Sequence, residues 1–190
     1  GVMATEQLQN FVLPTIEAAE KAGEFVLLFS HHPSSDFDLP YPEPTVGTFL
    51  FRWTLASRPN VIAHICGHSH RHRVTQIPGP YPYLEIETGS LADFPQEARI
   101  IEVRYQEETK WVIVAGTVVS HRENPTPLST ESFRRAQIDL EQTGANRGES
   151  LLGLKLGREL EAAFEQGMPP ADGKGLQGSE LDRHFAVTLP

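Results

Sequence analysis

Two short apolar runs constrain this chain more than any other feature: FVLLF at 25–29 and VIAHIC at 61–66, each emptying into histidines. Runs of that length without polar alternation are expected for strands covered on both faces. Between them lie the Pro-, Ser- and Asp-rich loop SHHPSSDFDLPYPEP and the stretch VGTFLFRWTLASR (46–58), which reads as a helix ended by Pro59. Strand, crossover helix and strand make a βαβ unit, so the two strands are expected to be parallel. Parallel strands place their following loops, 30–36 and 67–73, at one carboxyl edge of the sheet, where open α/β sheets bind ligands. The histidines of the two loops can therefore converge although they lie far apart in sequence.

The flanking segments fill out an α/β fold. Residues 5–22 carry apolar positions at Leu8, Phe11, Val12, Ile16, Ala19 and Ala22, the spacing of an amphipathic helix, with Thr5 as N-cap and Gly23 as its stop. Pro14 is expected to kink or interrupt it. YLEIET (83–88), ARIIEVRY (98–105) and KWVIVAGTVV (110–119) read as strands, and their short connections favour antiparallel pairing. The expectation is a mixed sheet: parallel strands lead into the histidine loops and antiparallel strands follow residue 80. RENPTPLST marks a break after His121, dividing the chain into a domain over 1–121 and a helical extension and tail over 122–190. Helices are expected at 129–142 and 154–166, and the tail beyond them reads as loop.

Composition narrows the functional class. The chain has 190 residues, enough for one sizeable domain, and a formal net charge of −9, which argues against a general nucleic-acid or anionic-membrane binder. A phosphorylated substrate stays open, because a bound metal can reverse the local field. Cys66 is the single cysteine and is expected as a buried, inert thiol. No stretch reaches the ~20 apolar residues of a membrane span and no signal peptide is visible, which leaves the compartment open with the cytoplasm slightly favoured. The chain opens with Gly1, which leaves a processed or partial chain open.

Neutral imidazole is a common metal ligand. On extended backbone His68 and His70 point to the same side, Gly67 lets the chain turn as it leaves the sheet, and SHHP brings further imidazoles from the neighbouring strand. A divalent metal is the economical way to gather them. His64, inside its strand, is expected in the core or facing a helix; His121 and His184 are expected to be solvated. A cupin-type site would need a carboxylate where Arg73 and Val74 stand, and a zinc finger would need a second cysteine. No G-x-S-x-G supports a serine hydrolase; Ser90 and Asp93 mark only a turn.

The pair FVLLFSHHP and VIAHICGHSH, in that order with a helix between, resembles the H-x-P and G-H-x-H elements of the calcineurin-like metallophosphoesterase family, in its C-terminal half. TGSLADFPQEARIIEV is similar to the strand pairs that follow G-H-x-H in bacterial members, so the resemblance spans roughly residues 1–120. It implies the C-terminal half of an αββα sandwich and hydrolysis of a phosphomonoester or phosphodiester by a two-metal centre of Fe, Mn or Zn. His31 and His68 would ligate one metal and His70 the other. His32 would sit outside the ligand set, supporting it or facing substrate, and His72 would line the pocket or be solvated. The family's D-x-H, G-D-x-x-D and G-N-H-[DE] motifs are absent, so no catalytic residue is expected in this chain. The remaining half is expected upstream or in another chain, leaving apolar strand faces uncovered and the isolated chain inactive. Two rival readings are a non-catalytic scaffold and a mononuclear metalloprotein using His31, His68 and His70.

Overall fold

The computed structural model describes residues 1–38, 42–143 and 179–189, and in these the chain is a mixed α/β fold with two sheets. The first holds β1 (Val26–Phe29), β2 (Val61–Cys66), β3 (Arg73–Ile77) and β4 (Tyr83–Glu87) in the order β1-β2-β4-β3. The second holds β5 (Glu97–Gln106), β6 (Trp111–Ser120) and β7 (His184–Leu189). β1 and β2 are parallel, with Leu28 beside His64 and Phe29 beside Ile65, as the crossover requires. β5 and β6 pair antiparallel over their whole length.

β4 departs from expectation. Instead of pairing antiparallel with the strand that follows, it enters the first sheet parallel to β2, setting Glu85 beside His64 and Glu87 beside Cys66. β3, at residues for which no element was expected, forms its antiparallel partner on the other side. All five β4 residues are buried. A central position covers a strand on both faces, which a hairpin position at a sheet edge does not. The turn between β3 and β4 packs tightly: a Cβ on Gly79 would lie 2.5 Å from Ala56 Cβ, and the Tyr81 N–H donates to the Ala56 carbonyl.

Each face of the first sheet has its own core. Val61, Ile77 and Tyr83 pack with Leu8, Ile16, Phe51 and Leu55 from the helices. Ile62, Ala63, Leu84 and Ile86 pack against Val112, Val114 and Leu189 of the second sheet. The layers are thus helices, mixed sheet and antiparallel sheet. β1 forms one edge of the mixed sheet and leaves Leu27 and Phe29 exposed, at 37% and 72%.

The first helical rod, α1, runs over residues 5–22 as three consecutive segments: Thr5–Gln7, a π-wound Leu8–Val12, and Leu13–Ala22. Pro14 does not end it. The ring removes one donor, and the π-turn, in which Leu13 N–H bonds to the Leu8 carbonyl, absorbs the mismatch one residue upstream. Thr5 is not the cap: Ala4 holds that position, and the Thr5 N–H donates to the Pro44 carbonyl. Gly23 closes the rod with φ +72°, the left-handed stop expected of glycine. The crossover helix α2 (Thr48–Ala56) begins where the Asp38 carboxylate accepts the Thr48 N–H at 2.8 Å.

α3 (Pro127–Thr143) follows the break after His121, close to the expected 129–142. Its Phe133 lies 5.5 Å, ring to ring, from His121, which is half-buried and not solvated as expected. The expected helix at 154–166 lies outside the described residues. The end of the tail is not loop. A short α4 (Glu180–Arg183) leads into β7, which pairs antiparallel with β6 and places Leu189 in the inter-sheet core. His184 is exposed on β7, as expected. Among the described residues no helix is long and apolar enough to cross a membrane.

Candidate metal centre

The parallel β1–β2 ladder continues past the strand ends. The Ser30 N–H donates to the Ile65 carbonyl at 3.1 Å, and the Gly67 N–H to the His31 carbonyl at 3.0 Å. These bonds lock the two loops side by side at the carboxyl edge, and His31, His32 and His68 meet there. Nδ1 of His68 lies 3.2 Å from Nε2 of His31. The His32 and His68 ring centroids are 3.9 Å apart, and one nitrogen from each of the three rings falls within 4.8 Å of the others.

His70 is not in this group. The extended backbone assumed for G-H-S-H is not what forms: His68 and His70 both adopt left-handed conformations, φ +64° and +54°, and the Ser69 N–H folds back to the Gly67 carbonyl at 2.7 Å. The alternation that would have put both imidazoles on one side is lost. His70 turns to Asp93, Nδ1 to Oδ2 3.2 Å. His32 takes a place among the clustered rings, with its Nδ1 3.5 Å from Asp36 Oδ2.

His72 neither lines the site nor meets solvent. It is 1% exposed, its Nε2 lies 3.2 Å from Glu97 Oε2, and its Nδ1 accepts from Gly89 N and Arg99 Nη2. The start of β3 at Arg73 draws it between the sheets. Burial, opposed by Glu97, lowers its pKa below the ordinary imidazole value. Cys66 is a buried thiol whose pKa burial pushes far up. His64 is also buried, its ring 5.5 Å from Phe51 of α2.

The group suits a metal on two counts. First, a zinc–nitrogen bond of about 2.05 Å in tetrahedral geometry sets neighbouring donors about 3.3 Å apart, close to the 3.2 Å between His31 and His68. Second, metal ligation requires neutral imidazole. Partial burial, then the adjacent His32 and His31, lower the pKa of His68 and favour that form.

Around the group stand residues to which sequence reading assigned no part: Ser30, Ser34, Ser69, Glu85 and Glu87. Glu85 Oε2 accepts from the Ser34 N–H (3.2 Å) and lies 3.1 Å from His64 Nδ1, and Oε1 accepts from Arg52 Nη2 at 2.7 Å. Glu87 Oε2 accepts from Ser69 Oγ at 2.7 Å, and Oε1 pairs with Arg73. The available signal was a strand, YLEIE, with two carboxylates on one side; such alternation ordinarily means a solvated face. Compared with models of known protein families, the chain matches none, and no curated protein matches it.

Proposed function

We propose that this chain carries the histidine portion of a metal-dependent phosphoester hydrolase centre of the calcineurin-like metallophosphoesterase kind. The observation that supports this most is the convergence of His31, His32 and His68 from the ends of two adjacent parallel strands. A metal held there supplies Lewis-acid activation of water and neutralises charge on a phosphoryl group. The chain's own part is to present imidazole nitrogens at fixed spacing, with His31 and His68 as ligands of one metal and His32 beside them. His70, the expected ligand of a second metal, is held near Asp93.

A dinuclear centre of Fe, Mn or Zn needs bridging carboxylates, which this reading assigns to an N-terminal half in the same protein or in another chain. The exposed Leu27 and Phe29 on edge strand β1 offer that half a surface. The substrate is a phosphomonoester or phosphodiester.

The test is hydrolysis of bis-p-nitrophenyl phosphate by the complete protein. His68→Ala is expected to lower turnover by orders of magnitude, and near-normal turnover would end the assignment. The 190-residue chain alone is expected to be inactive.

A second reading, a mononuclear three-histidine site, is favoured by one observation: His32 completes the group while His70 turns away. Metal content of the complete protein separates the two, at two ions per chain against one.

A further inference from the structure

We infer that Glu85 and Glu87 are positioning residues for the histidine group, each anchoring one of the two loops that deliver the imidazoles. The inference rests on the metal reading above.

The two carboxylates stand two residues apart on β4, on the face that carries Tyr83 toward the helices, and both are buried, at 1% and 2% exposure. A carboxylate in a central strand is costly to bury, and an apolar side chain at either position would serve the core better. What each carboxylate touches gives it another role. Glu85 reaches the first loop twice. It takes the Ser34 N–H directly, and through His64, whose Nε2 lies 2.7 Å from Ser30 Oγ, it holds the serine that donates to the His32 carbonyl at 2.6 Å. Ser30 and His32 flank His31. Glu87 reaches the second loop at Ser69, between His68 and His70. Ser69 sits between two residues in left-handed backbone, a conformation that side chains with a Cβ hold only under constraint. The Ser69–Glu87 bond is that constraint.

One strand thus sets both loops against each other. Because β4 is hydrogen-bonded directly to β2, the anchors move with the sheet and not with the loops. Partners that orient ligating histidines typically change metal affinity about 10–100-fold when lost.

The test uses the 190-residue chain, titrated with Co2+ and followed by visible absorption. Wild type is compared with His68→Ala, Glu87→Gln, Ser69→Ala, Ser69→Thr, Glu85→Gln and Ser30→Ala. Glu87→Gln and Ser69→Ala are each expected to weaken Co2+ binding about 10–100-fold and alter the absorption bands, with Ser69→Thr restoring both. Glu85→Gln and Ser30→Ala are expected to act likewise through the first loop. If a buried-glutamate variant does not fold, Ser69→Ala removes the Glu87 anchor and Ser30→Ala one of the two links from Glu85, while leaving each carboxylate paired to arginine. Wild-type affinity and spectrum in both serine-to-alanine variants, with His68→Ala still abolishing binding, would overturn the positioning role alone. Absence of Co2+ binding in wild type, or binding indifferent to His68→Ala, would remove the metal reading and this inference with it.

Discussion

Nδ1 of His68 and Nε2 of His31 stand 3.2 Å apart, although the two side chains leave the ends of different strands. The spacing follows from the parallel register that sets Phe29 beside Ile65. A metal site built this way depends on loop backbone as much as on ligand identity.

In the isolated chain, His31→Ala and His68→Ala are each expected to weaken Zn2+ binding by at least the ~100-fold that loss of an orienting partner can cause, and His32→Ala, whose ring stands beside the two ligands, by less. His70→Ala is expected to change it less than about tenfold, since that ring faces Asp93. Competition against a chromophoric chelator measures all four. Equal losses in His70→Ala and His68→Ala would show that His70 shares the site.

Gly116 of β6 faces Phe185 of β7, and a Cβ there would come 2.3 Å from the phenyl ring. Overpacking at such a contact costs about 1–3 kcal/mol. Gly116→Val should therefore lower the urea midpoint, and Gly116→Val combined with Phe185→Ala should recover part of the loss. An unchanged midpoint in the single variant would mean that β7 does not pair as described.

The parts of the fold that were legible in sequence are those with unambiguous patterns. VIAHIC is uninterrupted and becomes β2 at the expected residues, and its parallel pairing with β1 follows from the crossover helix between them. That pairing alone brings the histidine loops to one edge. Which imidazoles meet was not legible, because the answer lies in φ at His68 and His70, and histidine's enrichment in the left-handed region is too weak a preference to mark a given residue. β4 was misplaced for a related reason. Leu-Glu-Ile-Glu alternates as a solvated strand does, yet here the polar side is filled by Arg52, His64, Ser69 and Arg73. β7 was missed because its strand-like residues close a tail read as loop, and its partner β6 lies far back in the chain.

Tyr83 is fully buried, and its hydroxyl has no hydrogen-bond partner among the described residues. An unsatisfied buried polar group costs about 1–3 kcal/mol. Tyr83→Phe removes it without opening a large cavity, so the variant should be at least as stable as wild type. A clear drop in the urea midpoint would mean that the hydroxyl has a partner in solution.

Stability should fall steadily with acid. Burial pushes the carboxyls of Glu85 and Glu97 up, but their hydrogen bonds and nearby arginines outweigh it and hold both down to about 2. For Glu85 the counterweights are His64, Ser34 and Arg52; for Glu97 they are His72, Arg183 and Arg122. In the unfolded chain such groups titrate near 4.3. As pH drops below that value the unfolded state takes up protons that the folded state refuses, so stability is full above it and is lost toward pH 2. Each carboxylate contributes roughly 3 kcal/mol at most by this route. His72 acts in the same direction at higher pH: burial lowers its pKa, so its contribution is present above about 6.5 and declines as the unfolded imidazole protonates first. Urea midpoints at pH 7, 5 and 3 should therefore decrease in that order. Glu97→Gln should start lower, because Arg122 and Arg183 lose their counter-charge, and should decline less between pH 5 and 3. A midpoint independent of pH in wild type, or an equally steep decline in Glu97→Gln, would contradict an ionised Glu97 at the centre of this network.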